Sequence, residues 1–137
     1  MTKLNELHIL IAEDDQDDGE IIEQSFSRHS AFSKISLVKN GKELLDFLNN
    51  ESEKPDVILT DINMPIINGI EALMKIANDE ELKKIPSFAY STSISKVYVS
   101  KCIQYGVRSF LAKPFVLEEF DEIPHKIYTI ISGSTIQ

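Results

Sequence analysis

The amino-acid sequence predicts an α/β fold, a doubly wound parallel sheet with helices on both faces. Three observations predict it. Five short apolar runs alternate with five helical patterns along the 137 residues, the order that builds βα units. Three of those runs are continuous rather than alternating, as in strands covered on both faces. Three runs also end in charged residues, at the strand ends where open α/β sheets place their chemistry.

The first run, Leu7–Ala12, leads into Glu13-Asp14-Asp15. A helix follows from about Asp15 to His29, with Ile22 and Phe26 on its buried face. Asp15 is its expected N-cap, because a carboxylate there accepts from a free N–H of the first turn. Gly19 weakens that first turn by about 1 kcal/mol against Ala. The second run, Lys34–Val38, alternates, with Ile35 and Leu37 on one face and Ser36 and Val38 on the other. The next helix, Gly41–Asn50, carries Leu44, Phe47 and Leu48. The third run, Asp56–Thr60, leads into Asp61 and then Ile62-Asn63-Met64-Pro65.

The third helix, Asn68–Asn78, shows the stripe Ile70, Leu73, Met74, Ala77, the i, i+3, i+4, i+7 spacing of one helix face. The fourth run is Ser87–Ser91, and the helix Ser95–Tyr105 after it carries Val99, Cys102 and Ile103. Gly106 is its left-handed stop. The fifth run, Ser109–Ala112, leads into Lys113-Pro114. The last helix carries Phe120, Ile123, Ile127 and Ile130, with Pro124 among them. An interior proline costs roughly 3 kcal/mol but is tolerated in the first turn. The sequence therefore predicts a short turn over Glu118–Glu122 and the main helix from about Pro124, or a kink there.

Right-handed crossovers put helices on each face. For five strands the flavodoxin-like order 2-1-3-4-5 leads, and it sets the ends of strands one and three side by side. Glu13, Asp14 and Asp61 then converge. Like charges that close ionise together only if a cation joins them.

Composition narrows the function classes. The 42% hydrophobic content suits a single domain, with a core over about 7–131 and a flexible tail over 132–137. No stretch approaches the roughly 18 apolar residues of a membrane span, and the N-terminus has no signal-peptide pattern. Cys102 is the single cysteine and has no internal disulfide partner, which fits a cytoplasmic location. The net charge of −8, from 22 acids against 14 bases, disfavours nucleic acid and anionic membrane as partners. His8, His29 and His125 are scattered and read as structural.

The set Glu13-Asp14-Asp15, Asp61-Ile62-Asn63-Met64-Pro65 with Gly69, Ser91-Thr92 and Lys113-Pro114-Phe115 resembles the receiver domain of two-component response regulators. The resemblance runs from about Leu7 to Ile131. It implies that Asp61 is the phosphoacceptor, a carboxylate that attacks phosphorus to form an acyl phosphate. It implies a Mg²⁺ (or Mn²⁺) site made by Asp14, Asp61 and the backbone carbonyl of Asn63, with Glu13 acting through water. This suits a hard cation that keeps several waters. Ser91 would hydrogen-bond the phosphoryl group, and Lys113 would pair with Asp61 and then with a phosphoryl oxygen. Phe110 stands where receivers carry a switch aromatic. Asn63 and Ser93 would flank the attacking water. Thr92 departs from the very small residue usual there and would narrow access to phosphorus. The family's Lys-Pro bond is cis, which would aim Lys113 inward.

The expected function is that of a stand-alone receiver. A sensor histidine kinase or phosphotransfer protein donates the phosphoryl group, and the signal emerges on the surface of the fourth helix, fifth strand and fifth helix. About twenty residues follow Phe115, so the expected output is contact with another protein or a second copy of the chain (a homodimer through that face), with Val97 or Tyr98 as contacts. The alternative is a receiver-like interaction module that is not phosphorylated. A haloacid-dehalogenase-type phosphatase needs an acid where Asn63 stands, and a flavin or nucleotide carrier needs a Gly-rich loop where Glu13-Asp14-Asp15 stands.

Overall fold

A computed structural model of the chain describes residues 6–50 and 52–133. The N-terminal residues 1–5, where no signal peptide is expected, and residues 134–137 of the predicted tail lie outside the described residues. Five strands, β1 (Leu7–Ala12), β2 (Phe32–Val38), β3 (Val57–Asp61), β4 (Ser87–Ser91) and β5 (Ser109–Ala112), form one sheet in the order β2-β1-β3-β4-β5. Every neighbouring pair is parallel. The predicted strand order and fold class are both observed. β1, β3 and β4 are buried along their whole length, which is why their sequences do not alternate. β2 is an edge strand and does alternate: Ile35 and Leu37 pack on one face and Val38 on the other. It also begins at Phe32, two residues before the predicted start, because Phe32 pairs with Leu7 across an irregularity in the ladder.

The five α-helices are α1 (Gln16–Ser27), α2 (Gly41–Asn50), α3 (Gly69–Ala77), α4 (Lys96–Gln104) and α5 (Glu122–Ser132). Ile22 and Phe26 of α1 and Ile123 and Ile127 of α5 pack with Ile9, Leu59 and Phe88 on one face of the sheet. Leu44 and Leu48 of α2 and Ala72 and Ile76 of α3 pack with Leu10 and Ile58 on the other face. Cys102 of α4 joins Leu73 and Ala89. No helix among the described residues is long and apolar enough to cross a membrane.

Local chemistry sets the helix starts. Asp15 caps α1 by accepting from the Asp18 N–H at 2.9 Å. Asn68 caps α3 with a reciprocal bond from Glu71, a capping box. Gly106, at φ +87°, follows α4 as the expected left-handed stop. Pro124 stands in the first turn of α5, after a 3-10 turn over Leu117–Asp121, where its missing N–H has no helical acceptor to lose. Ser132, assigned by sequence to the tail, is the last residue of that helix.

Two helix faces differ from the predicted stripes. In α3 the buried residues are Gly69, Ala72, Leu73 and Ile76, so the face is rotated from the Ile70/Met74/Ala77 stripe. In α4 Ile103 is 63% exposed, whereas Tyr98 packs beside Cys102. Tyr98, Cys102 and Tyr105 form an i, i+4, i+7 face of their own, packed against the cluster of Ile62, Leu73 and Ala89. Tyr98 is therefore half-buried against the helix's own core face rather than fully exposed, while Val97 is 60% exposed as expected.

Candidate functional site

The site is assembled at the C-terminal ends of β1, β3, β4 and β5. The register pairs Ala12 with Thr60, Asp61 with Tyr90, and Ser91 with Ala112. Glu13 and Asp61 therefore leave the neighbouring strands β1 and β3 at the same level, and Lys113 leaves β5 at that level across β4. The Glu13 N–H continues the ladder to the Val38 carbonyl at 2.9 Å, and the Lys113 N–H donates to the Ser91 carbonyl at 2.9 Å.

Lys113 is the hub. Its Nζ lies 2.8 Å from Glu13 Oε1, 3.0 Å from Asp61 Oδ2 and 3.2 Å from Asp18 Oδ2. The residue is buried, as are Glu13 and Asp61. The described peptide bonds include no cis bond, so Lys113-Pro114 is trans and the cis isomer implied by the resemblance is not adopted. The Lys113 N–H bond to the Ser91 carbonyl holds the end of β5 beside β4.

Asp61 is held from both sides. Its Oδ1 accepts from the Ile62 N–H at 2.7 Å, and its Oδ2 faces Lys113. The turn beyond it comes close enough that a Cβ on Gly69 would stand 2.1 Å from the Asp61 carbonyl oxygen. Only glycine fits there. Within this turn Ile66 adopts φ +71°, a conformation that a β-branched side chain disfavours.

Glu13 accepts three bonds: Lys113 and the Tyr90 hydroxyl, the latter at 2.6 Å, on Oε1, and the Asp15 N–H at 3.1 Å on Oε2. Burial nonetheless dominates and holds its carboxyl above the usual range, helped by the Asp61 charge. Asp14, on the exposed side, is raised as well, first by partial desolvation and then by Glu13. For Lys113 burial alone would lower the pKa, but the bond and charge of Glu13 and the charge of Asp61 outweigh it and leave the ammonium above its ordinary value. One cation shared among several acids gains from each, while each acid receives only a share.

Among the described residues, Glu13, Asp14 and Asp61 each offer an oxygen within 4.8 Å of the other two. Three hard donors, two of them made reluctant to ionise by burial and by neighbouring carboxylates, fit a divalent hard cation. Asn63 lies exposed in the turn after β3, next to this cluster in the chain.

Of the other predicted residues, Ser91 is buried and its hydroxyl accepts from the Ser93 N–H at 3.2 Å. Phe110 is half-buried and packs against the cluster containing Ala89 and Cys102. Thr92 is exposed. Two participants were not anticipated. Tyr90, fully buried, points its hydroxyl at Glu13, and Asp18 adds a further acid to Lys113. A tyrosine at the end of a buried strand signals a polar partner for its hydroxyl, and Asp18 is one helical turn beyond Asp14.

Comparison with known proteins agrees with this arrangement. The family model described as the response regulator receiver domain matches residues 9–124. The two-component response regulator ORR11 of Oryza sativa is 34% identical over 107 residues, covering 78% of the chain and 71% of that protein. The response regulator-like APRR1 of Arabidopsis thaliana is 31% identical over 86 residues, 63% of the chain and 14% of that protein's length. Among solved structures, the phosphorylated cyanobacterial phytochrome response regulator RcpA superposes with a TM-score of 0.86 at 26% identity, over 95% of this chain and 96% of its own. The Mn²⁺-bound response regulator Rcp1 gives 0.82 at 23% identity, over 96% and 98%.

Proposed function

Because the chain belongs to the family of response regulator receiver domains, we propose that it accepts a phosphoryl group on Asp61 from a phosphohistidine of a sensor histidine kinase or phosphotransfer protein. The observation that carries this reading is the ammonium of Lys113, 3.0 Å from Asp61 in a buried cluster with Glu13 and beside Asp14. A carboxylate oxygen of Asp61 forms the new bond to phosphorus, the P–N bond breaks, and the leaving imidazole takes up a proton. The chain's part is positioning and charge compensation, as in phosphoryl transfer generally. The Ile62 N–H fixes one carboxylate oxygen, and Lys113 moves from ion pairing with the acids to the incoming phosphoryl oxygens. Asp14, Asp61, Glu13 and the carbonyl of Asn63 would hold Mg²⁺ or Mn²⁺, whose charge offsets that of the phosphoryl oxygens. That RcpA is phosphorylated and Rcp1 binds Mn²⁺ supports this assignment.

In this reading Ser91 is drawn toward the phosphoryl group and Phe110 turns into the space it leaves. The population then shifts between two packings of α4, β5 and α5. Val97 and Ile103, 60% and 63% exposed on α4, offer apolar contacts on that surface to a protein partner or a second copy of the chain. The protein is a signalling phosphoacceptor rather than an enzyme acting on free substrates.

Incubation with Mg²⁺ and acetyl phosphate or phosphoramidate is expected to add one phosphoryl group by intact mass, and Asp61→Asn to abolish the addition. A mass unchanged by every donor overturns the reading in favour of an unphosphorylated interaction module.

A further inference from the structure

Tyr90 touches the acidic cluster but belongs to none of the motifs that carry the family resemblance. Its ring is fully buried in β4, and its backbone stands opposite Asp61 in the sheet register. Its hydroxyl lies 2.6 Å from Glu13 Oε1, the same oxygen that Lys113 Nζ approaches to 2.8 Å. That ammonium also sits 5.0 Å from the centre of the Tyr90 ring. Glu13 thus has two kinds of donor. Lys113 is a long, flexible side chain shared with Asp61 and Asp18, whereas the tyrosine hydroxyl sits on a rigid ring, bonds only Glu13 among the described residues and comes from the core side.

We propose that Tyr90 is a positioning residue for the divalent-cation site. Its hydroxyl anchors Glu13 from behind and keeps the carboxylate turned toward Asp14 and Asp61 when Lys113 is drawn to the phosphoryl group. The proposal rests on the phosphoacceptor reading and adds to it a fixed donor behind one of the cluster acids. Hydrogen bonds of this outer kind typically change metal affinity 10–100-fold.

Tyr90→Phe removes the hydroxyl and keeps the ring. Calorimetric titration of the unphosphorylated protein with MgCl₂ alone is expected to give a Kd about 10-fold weaker in the variant than in the wild type. Phosphorylation by acetyl phosphate is expected to slow at subsaturating Mg²⁺ and to recover at saturation. A hydroxyl that only supports the fold moves the melting temperature and leaves the Kd unchanged. Equal Kd values in two folded proteins therefore overturn the proposal while leaving Asp61 as acceptor untouched. A wild type that neither binds Mg²⁺ nor takes a phosphoryl group overturns the acceptor reading, and this proposal with it. If Tyr90→Phe does not fold, the absence of tryptophan provides a second route. Substituting Phe for Tyr98, Tyr105 and Tyr128 leaves Tyr90 as the only emitter. Its fluorescence is expected to change on adding Mg²⁺, and an emission indifferent to the ion overturns the proposal.

Discussion

β1 meets a buried polar side chain at each end, His8 near its start and Glu13 just past its finish, and the two are held differently. The His8 N–H donates to Asp56 Oδ2 at 2.8 Å, and the Asp56 N–H returns a bond to the His8 carbonyl at 2.8 Å. The His8 ring makes one polar contact, Nε2 to Ser36 Oγ at 2.9 Å, and rests edge-on against Phe47. Its Nδ1 is buried with no hydrogen-bond partner among the described residues. At the other end three acids compete for one lysine. Apart from that nitrogen, the His8 end pairs its polar groups through neutral or locally compensated bonds. The Glu13 end holds more negative charge than its ammonium can offset, an arrangement that stability alone does not favour and that ligand binding can relieve.

Removing the hub separates the two ends most sharply. Lys113→Met leaves Glu13 and Asp61 buried without their cation, and urea unfolding at neutral pH without divalent ions is expected to show a loss of about 3 kcal/mol. The loss shrinks on acidification as Glu13 takes up a proton. At the opposite end Ser36→Ala strips His8 of its ring partner and is expected to cost about 1 kcal/mol in the same assay. Equal losses would erase the distinction.

The smallest effect is a difference of sign. The Glu13 carboxyl is raised above its ordinary 4.5, so the folded state keeps a proton that the unfolded chain has released. Its contribution therefore grows as pH falls through the folded value toward 4.5. The His8 imidazole is lowered below its ordinary 6.5, first by burial and then by Lys34. Its contribution is complete above 6.5 and is lost as pH falls from there through the folded value. Stability–pH curves of Glu13→Gln and His8→Gln, each against the wild type, are expected to differ in opposite directions over these windows.

The alternation of strands and helices and most helix starts were legible in the sequence because each follows from local signals, whereas the strand order, and with it the meeting of Glu13, Asp14 and Asp61, followed from the usual order of five-stranded doubly wound sheets. Continuous apolar runs mark covered strands, and Asp15, Asn68 and Gly106 mark helix ends. Lys113 was legible through the company it keeps in the family pattern. What escaped depends on which neighbour a side chain meets. Tyr90 reads as one more apolar residue until Glu13 lies across from it. α4 carries two apolar stripes one residue apart that share Cys102, and only packing against Leu73 and Ala89 favours Tyr98 over Ile103. Asp18 shares a helical turn with other acids and is distinguished only by the reach of Lys113.

Gly41 opens α2, far from the acids in sequence, yet its N–H donates to the Ile67 carbonyl at 2.9 Å, and a Cβ there would stand 2.2 Å from that oxygen. The segment leaving β3 is thus tethered at both margins, to α2 through Ile67 and back onto itself where the Gly69 N–H meets the Ile62 carbonyl. Any movement of this segment is confined to the short arc between those tethers. A single methyl group added at Gly41 would press on Ile67 and push aside the arc that follows Asp61.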